Sequence, residues 1–246
     1  MQVMFLDAPY SGKVKLNKEI IKLVQNKKVG LFASVQFVNK LDVVKEQLNE
    51  AKIEFFQSKP RRTHVKGQIL GCDTEQESLN LEQEIDVYLY IGDGKFHPLA
   101  LIYAQKDQEE IKPLYQFDPI TNLIKELKVD EIKKNLMQYR ASLMKFVSAE
   151  NIGVINTIKP GQQQLKASYI LEKKWPEKKF YYFVDNIVSF DQLENFNFIY
   201  TWINTTCPRV GFDDQDKFLK GIINLNDALI ALDVLSKNTI FNRLRG

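Results

Sequence analysis

The chain has 246 residues, 44% hydrophobic and 26% charged, a globular composition that fits one large domain or two small ones. Its 34 basic and 31 acidic side chains leave a net charge of +3, too balanced for direct binding to nucleic acid. No stretch nears the roughly 18 consecutive apolar residues of a membrane span, and no basic region precedes an apolar block at the start, so the expectation is a cytoplasmic protein with reduced thiols and no membrane partner.

In chain order, strands alternate with helices. Residues 3–6 read as a short strand. Residues 16–25 place Leu16, Ile20, Ile21, Leu23 and Val24 on one face of a helix. Residues 29–35 read as a buried strand, 41–51 as a helix with Leu41, Val44, Leu48 and Ala51 on one side, and 53–56 as another strand. A polar loop over 58–66 leads through Ile69 and Leu70 to Cys72. Residues 86–91 (DVYLYI) are strongly β-prone, 97–104 read as a helix, and 113–117 as a strand closed by Asp118-Pro119. A second unit opens with a long amphipathic helix over 130–150, carrying Ile132, Leu136, Tyr139, Leu143, Phe146 and Val147. Strands at 152–157, 180–184 and 198–204 then alternate with helices at 162–173 and 190–196. A helix over 224–235, with Asn224 as its cap, completes the chain. This alternation predicts parallel sheets built from βαβ units. The fold class is α/β: two similar small domains, 1–122 and 123–246, with parallel sheets flanked by helices and facing a shared cleft.

Two cysteines stand out. Cys72 lies in Gly67-Gln68-Ile69-Leu70-Gly71-Cys72-Asp73, and Cys207 in Asn204-Thr205-Thr206-Cys207-Pro208-Arg209. Both follow or end apolar runs, where a strand would deliver its last residue to a sheet edge, and ligands of open parallel sheets bind beyond the carboxyl ends of the strands. Their separation is too long for a zinc ribbon. They read as metal ligands, catalytic thiols or buried small hydrophobes, and a single disulfide fits the count although nothing suggests secretion. A catalytic thiol needs a base, and the chain has only His64 and His97. A sulfur-ligated metal needs no histidine.

Three further segments can carry chemistry. Gly92-Asp93-Gly94-Lys95-Phe96-His97 follows a strand; its glycines allow a sharp turn or close approach to a ligand, and His97 either donates to a substrate or caps the next helix. Lys159-Pro160-Gly161-Gln162 joins a strand to a helix, whose open amides and positive end attract an anion beside the Lys159 charge. A tight turn with a solvated lysine fits the same residues. Asp213 and Asp214 read as acid–base or substrate-binding groups, or as a solvated acidic pair.

Taken together, these segments resemble the diphthamide synthase family, whose archaeal enzyme makes 2-(3-amino-3-carboxypropyl)histidine on elongation factor 2. The matching stretches are Val35-Gln36, KGQILGC (66–72), YIGDGKFHPL (90–99), Phe117-Asp118-Pro119, KPGQ (159–162) and NTTCPR (204–209), with Asp213-Asp214. Each is short, but they recur in family order over almost the whole chain. The resemblance implies three repeats of one α/β domain, each giving one cysteine to a [4Fe–4S] cluster whose fourth iron is open to S-adenosylmethionine. Reduction of the cluster cleaves the bond from sulfur to the γ-carbon, and the 3-amino-3-carboxypropyl radical adds to an imidazole carbon of the target histidine. It further implies Cys72 and Cys207 as cluster ligands. Gln36, Gly92, Gly94, Lys159, Pro160, Gly161 and Gln162 would bind the cosubstrate, with His97, Asp213 and Asp214 as catalytic groups. Two departures stand against the pattern. The chain opens where the family's second domain begins, so one cysteine is missing and two thiolates are a poor cage for four irons. Phe37 stands where the family commonly has histidine. The expectation is one part of a split enzyme that needs a separate chain supplying the first domain. The alternative is a non-catalytic accessory subunit or degenerate paralogue, partnered with a family paralogue as a heterodimer.

Overall fold

The computed structural model describes residues 8–159, 162–187 and 189–244; the strand expected at 3–6 lies outside them. The chain divides into two units, Met1–Lys106 with Glu110–Glu131, and Asp107–Glu109 with Ile132–Gly246. Among the described residues no helix is long and apolar enough to cross a membrane.

The first unit carries β1 (Val29–Ala33), β2 (Phe55–Phe56), β3 (Val87–Ile91), β4 (Leu114–Asp118) and β5 (Leu123–Leu127), in the sheet order β2-β1-β3-β4-β5. Every residue of β1 and β3 is buried, because a parallel strand covered on both faces has no side left for polar groups. The helices α1 (Lys18–Val24) and α2 (Leu41–Glu50) cover one face. Asn17 starts α1, its Oδ1 accepting from the Ile20 amide at 3.0 Å. Leu41, Val44 and Leu48 form the buried stripe of α2. They share one core with Val29, Leu31 and Ala33 of β1 and with Val87, Leu89 and Ile91 of β3. A third helix, α3 (Phe96–Tyr103), follows β3.

Strands β1 to β4 are parallel, but β5 pairs antiparallel with β4, from Leu114↔Leu127 to Asp118↔Leu123. The first sheet is thus parallel with one antiparallel edge strand, and residues 123–127 pair within the first unit. The cause is the turn. Asp118 Oδ1 accepts from the Ile120 amide at 2.8 Å, Oδ2 accepts from the Thr121 hydroxyl at 2.7 Å, and Asn122 takes a left-handed φ of 57°. The chain therefore folds straight back.

In the second unit α4 (Lys133–Ser148) precedes β6 (Asn151–Thr157). The short helices α5 (Leu165–Ser168) and α6 (Ile170–Lys174) lead to β7 (Lys179–Asp185), and α7 (Phe190–Leu193) to β8 (Thr201–Asn204). Then come α8 (Pro208–Asp213), β9 (Ile222–Asn224), α9 (Leu225–Leu229), α10 (Ala231–Ser236) and α11 (Ile240–Arg243). The sheet is parallel throughout, in the order β7-β6-β8-β9. Gly153 of β6 faces Trp202 of β8, and a Cβ there would overlap the buried indole. The helix expected over 162–173 is broken at Tyr169, and that over 224–235 at Ile230; the strand expected over 198–204 contracts to β8.

Both sheets share one pattern. The first strand lies between the second and the third, and the fourth lies outside the third. Each unit thus has a switch point at its carboxyl edge, between β1 and β3 and between β6 and β8, where open α/β sheets bind ligands.

Candidate functional site

The loops after β1 and β3 flank the first switch point. Gln36 is exposed, and its carbonyl accepts from the Tyr10 amide at 2.8 Å. Phe37 is 1% exposed with its ring 5.0 Å from Tyr10, part of the core of the first unit. After β3, Gly92 and Gly94 adopt φ of 151° and 62°, conformations that favour glycine. Gln116 of β4 pins this turn, its Nε2 donating to the carbonyls of Gly92 and Gly94 at 2.9 and 2.7 Å. His97 lies inside the first turn of α3, whose N-cap is Lys95, so it is not the cap. Its ring meets Phe96 edge-on at 5.4 Å between centroids.

Cys72 does not end a strand. β2 stops after two residues and leaves the edge of β1 open at Ala33. The chain returns there: the Ala33 amide donates to the Gly67 carbonyl at 2.8 Å, and the Ile69 amide to the Ala33 carbonyl at 3.0 Å. This makes a single parallel bridge between Ala33 and Gln68. Beyond it the chain runs past the carboxyl end of β1, and Cys72 sits in the turn as a half-buried thiol. A Cβ on Gly71 would overlap the Phe96 ring, so the glycine brings the start of α3 against the Cys72 turn. Asp73 closes that turn, its Oδ2 accepting from the Leu70 amide at 2.9 Å. Burial pushes its carboxyl up, despite this bond and the nearby Arg62.

Cys207 lies beyond β8, after Thr205 and Thr206, as N-cap of α8 with Pro208 in the first helical position. A polar network across the sheet end holds it. Asn204 Nδ2 donates to the Cys207 carbonyl at 2.9 Å and to Asn224 Oδ1 at 2.8 Å, while Asn204 Oδ1 accepts from the Thr206 amide and hydroxyl at 3.0 and 2.7 Å. The Thr205 hydroxyl lies 2.8 Å from both the Ile155 carbonyl and Asn156 Oδ1. Asn224 caps α9 without a side-chain bond to it; its Nδ2 donates instead to the Pro208 carbonyl at 3.1 Å. Sequence reasoning missed this network, although the Asn-Thr-Thr run before Cys207 was in view.

The acidic pair is engaged locally. Buried Arg209 sets Nε and Nη2 on Asp213 Oδ2 at 2.7 and 2.6 Å, and Asp214 pairs with Lys217 at 2.8 Å. Lys159 is exposed beyond β6; its amide donates to Thr157 Oγ1 at 3.2 Å, and its carbonyl accepts from the Gln162 amide at 3.1 Å. Pro160 and Gly161 lie outside the described residues. The following helix, α5, is four residues long, so the strong positive helix end expected after this turn is absent. A cavity of about 170 Å³ opens at the ends of β6 and β7, lined by Asn156, Phe183, Asp185, Ser189 and Gln192 among others. That is smaller than the roughly 300 Å³ at the low end of drug-sized ligand pockets.

The arrangement of motifs has relatives. The family described as "Putative diphthamide synthesis protein" matches residues 2–241. The chain belongs to this family. It is 28% identical over 219 residues to 2-(3-amino-3-carboxypropyl)histidine synthase of Pyrococcus horikoshii, covering 87% of this chain and 59% of that one. It is 27% identical over 225 residues to subunit 1 of the synthase from Kluyveromyces lactis, covering 84% and 48%. The crystal structure of Dph2 from Pyrococcus horikoshii with a 4Fe–4S cluster superposes with a TM-score of 0.71 at 26% identity, over 93% of this chain and 63% of that one. The chain thus spans about half to three-fifths of the length of these relatives.

The family's fold raises the question of whether these residues fit such a cluster. Thiolates are its usual ligands, and this chain has two, Cys72 and Cys207. Among the described residues no three His, Cys, Asp or Glu side chains gather where they could hold a metal. The donor type fits and the number does not: the described residues alone do not complete a cluster site.

Proposed function

We propose that this chain acts in the first step of diphthamide biosynthesis, the transfer of a 3-amino-3-carboxypropyl group from S-adenosylmethionine to a histidine of elongation factor 2. It does so as one part of an assembly in which a separate chain contributes another thiolate. The observation that carries this reading is the placement of two half-buried thiols, each beyond the carboxyl end of a sheet of the same strand order, within motifs that follow the family pattern. Cys72 and Cys207 would hold part of an iron–sulfur cluster completed by the separate chain, and that cluster would supply the electron that opens the S-adenosylmethionine sulfur–carbon bond. Gln116 keeps the Gly92–Gly94 turn open to the cosubstrate, and Lys159 meets its carboxylate. Arg209, Asp213 and Asn204 hold the Cys207 loop in position, and Asp214 and His97 would act as catalytic groups. The small thiol count also supports a second reading, in which the chain is an accessory subunit.

One assay separates the two. The chain is combined with a complementary chain carrying the further thiol, a reductant, S-adenosylmethionine and elongation factor 2, and the target histidine is read by mass spectrometry. Cys72→Ala and Cys207→Ala should each abolish modification, and Lys159→Ala should raise the S-adenosylmethionine concentration needed. Normal modification by both cysteine variants would leave the accessory role in place of the catalytic one.

A further inference from the structure

The loop over residues 58–66, between β2 and the Cys72 turn, has no part in the proposed chemistry, yet the chain's positive charge is concentrated there. Lys59, Arg61, Arg62 and Lys66 give it four positive charges and no acid, against a net +3 for the whole chain, so all other residues together carry a net −1. Lys59, Arg61 and Lys66 are exposed, and among the described residues none of them forms an ion pair. The segment beneath brings Glu75 and Glu77, neither paired with these cations. The loop has neither helix nor strand, but its frame is fixed. The Gly67 amide donates to the Ser58 carbonyl at 2.7 Å, so the two ends meet. The Arg61 amide donates to the Ser78 carbonyl at 2.8 Å, and Asn80 Nδ2 donates to the Lys59 carbonyl at 2.8 Å. Thr63 is buried inside, its hydroxyl donating to the Pro60 carbonyl at 3.0 Å. Compact loops closed in this way are frequently functional.

The loop is also tied to the thiol. Arg62 lies beside Asp73, the sequence neighbour of Cys72, and Gly67 bonds the loop's end to Ala33 at the carboxyl end of β1. A partner held by these cations is therefore brought to the Cys72 turn. Fixed cations of one sign attract an anionic partner and speed its encounter. Val65, 45% exposed between His64 and Lys66, adds an apolar contact. That mixture suits a protein surface of acidic and apolar side chains. The loop has no aromatic residue on which a nucleic-acid base could stack. We propose that the 58–66 loop is the docking surface for the acceptor protein, which meets it with an acidic patch close to the target histidine. The identity of the acceptor rests on the function proposed above; the sign and place of the contact rest on the loop itself.

The full chain is mixed with elongation factor 2 carrying the unmodified histidine, without reductant or S-adenosylmethionine, and association is followed kinetically. The on-rate should fall steeply as salt rises. At about 0.15 M salt, the variant K59E/R61E/K66E should associate about tenfold more slowly or worse, lose most of the salt dependence and keep a similar off-rate. K13E/K15E/K18E changes the net charge equally on exposed lysines outside the loop. Its on-rate at that salt should stay within about threefold of the parent, because charges beyond a Debye length of about 8 Å are screened. The far-UV spectra of all three chains should coincide. A parent chain that does not associate, or equal slowing by both variants or by neither, overturns the proposal. So does a short RNA that binds the loop more tightly than elongation factor 2 at the same salt, which would assign the loop to nucleic acid. If the parent docks through the loop but the assembled system modifies no histidine, the proposed chemistry fails and the docking surface stands. If modification proceeds while the loop variant associates as fast as the parent, the chemistry stands and the docking surface fails.

Discussion

Tyr139 has no exposed surface, yet its hydroxyl links three parts of the second unit. It donates to Asp227 Oδ2 at 2.6 Å and accepts from the Asn224 amide at 2.8 Å. Burial pushes the phenol well up, and the Asp227 charge adds to this, so it remains a donor throughout the accessible pH range. Tyr139→Phe leaves the Asn224 amide without its acceptor in a buried place, which should cost about 1–3 kcal/mol in urea unfolding. The cysteines are a contrast. Cys72 and Cys207 are half-buried, and removing one small side chain away from the core should change stability by less than about 1 kcal/mol. The melting curves of Cys72→Ala and Cys207→Ala should therefore overlay that of the parent, so that lost activity reports a lost ligand and not a lost fold. A drop as large as that of Tyr139→Phe would assign them to packing.

The β4–β5 hairpin shows how much of an element one carboxylate can decide. Burial alone would raise Asp118, but the Thr121 hydroxyl, the Ile120 and Thr121 amides and the Lys125 charge outweigh it and hold the carboxyl below its ordinary value. The folded chain therefore binds this proton more weakly than the unfolded chain. The stabilisation is complete above the unfolded value of about 3.9 and is lost as pH falls through the folded one. Asp118→Asn should be less stable than the parent at neutral pH, and their urea midpoints should converge below about pH 4. A gap that persists at acid pH would mean that the charge is not what holds the turn. The same hairpin marks where sequence reading stops. β1 and β3 are legible because burial on both faces leaves them wholly apolar, and α2 because its buried residues keep helical spacing. β5, exposed at an edge, carries Lys125 and Glu126 mid-strand and reads as loop. β9 is too short to show a pattern, and so is α8, six residues that begin at Pro208. At the site, the cysteines and glycines stand out by type and neighbours. The network behind Cys207 joins residues 20 and 88 positions apart, and no local spacing reveals such pairs.

At the scale of the whole molecule, two sheets of one strand order each present one thiol near the carboxyl edge, and nothing among the described residues adds a third ligand nearby. A four-iron cluster is ordinarily held by four thiolates, or by three where one iron is left for a cosubstrate. Two leave half of it exposed to exchange and loss. Anaerobic reconstitution of the isolated chain should therefore retain well under four irons and four sulfides per chain after gel filtration, and that remainder should decay quickly. Adding a complementary chain with one accessible cysteine should raise the retained iron to the full cluster, and Cys72→Ala or Cys207→Ala should prevent the rise. A complete, stable cluster on the isolated chain would show that its ligands are not limited to these two thiolates and that no second chain is needed to hold it.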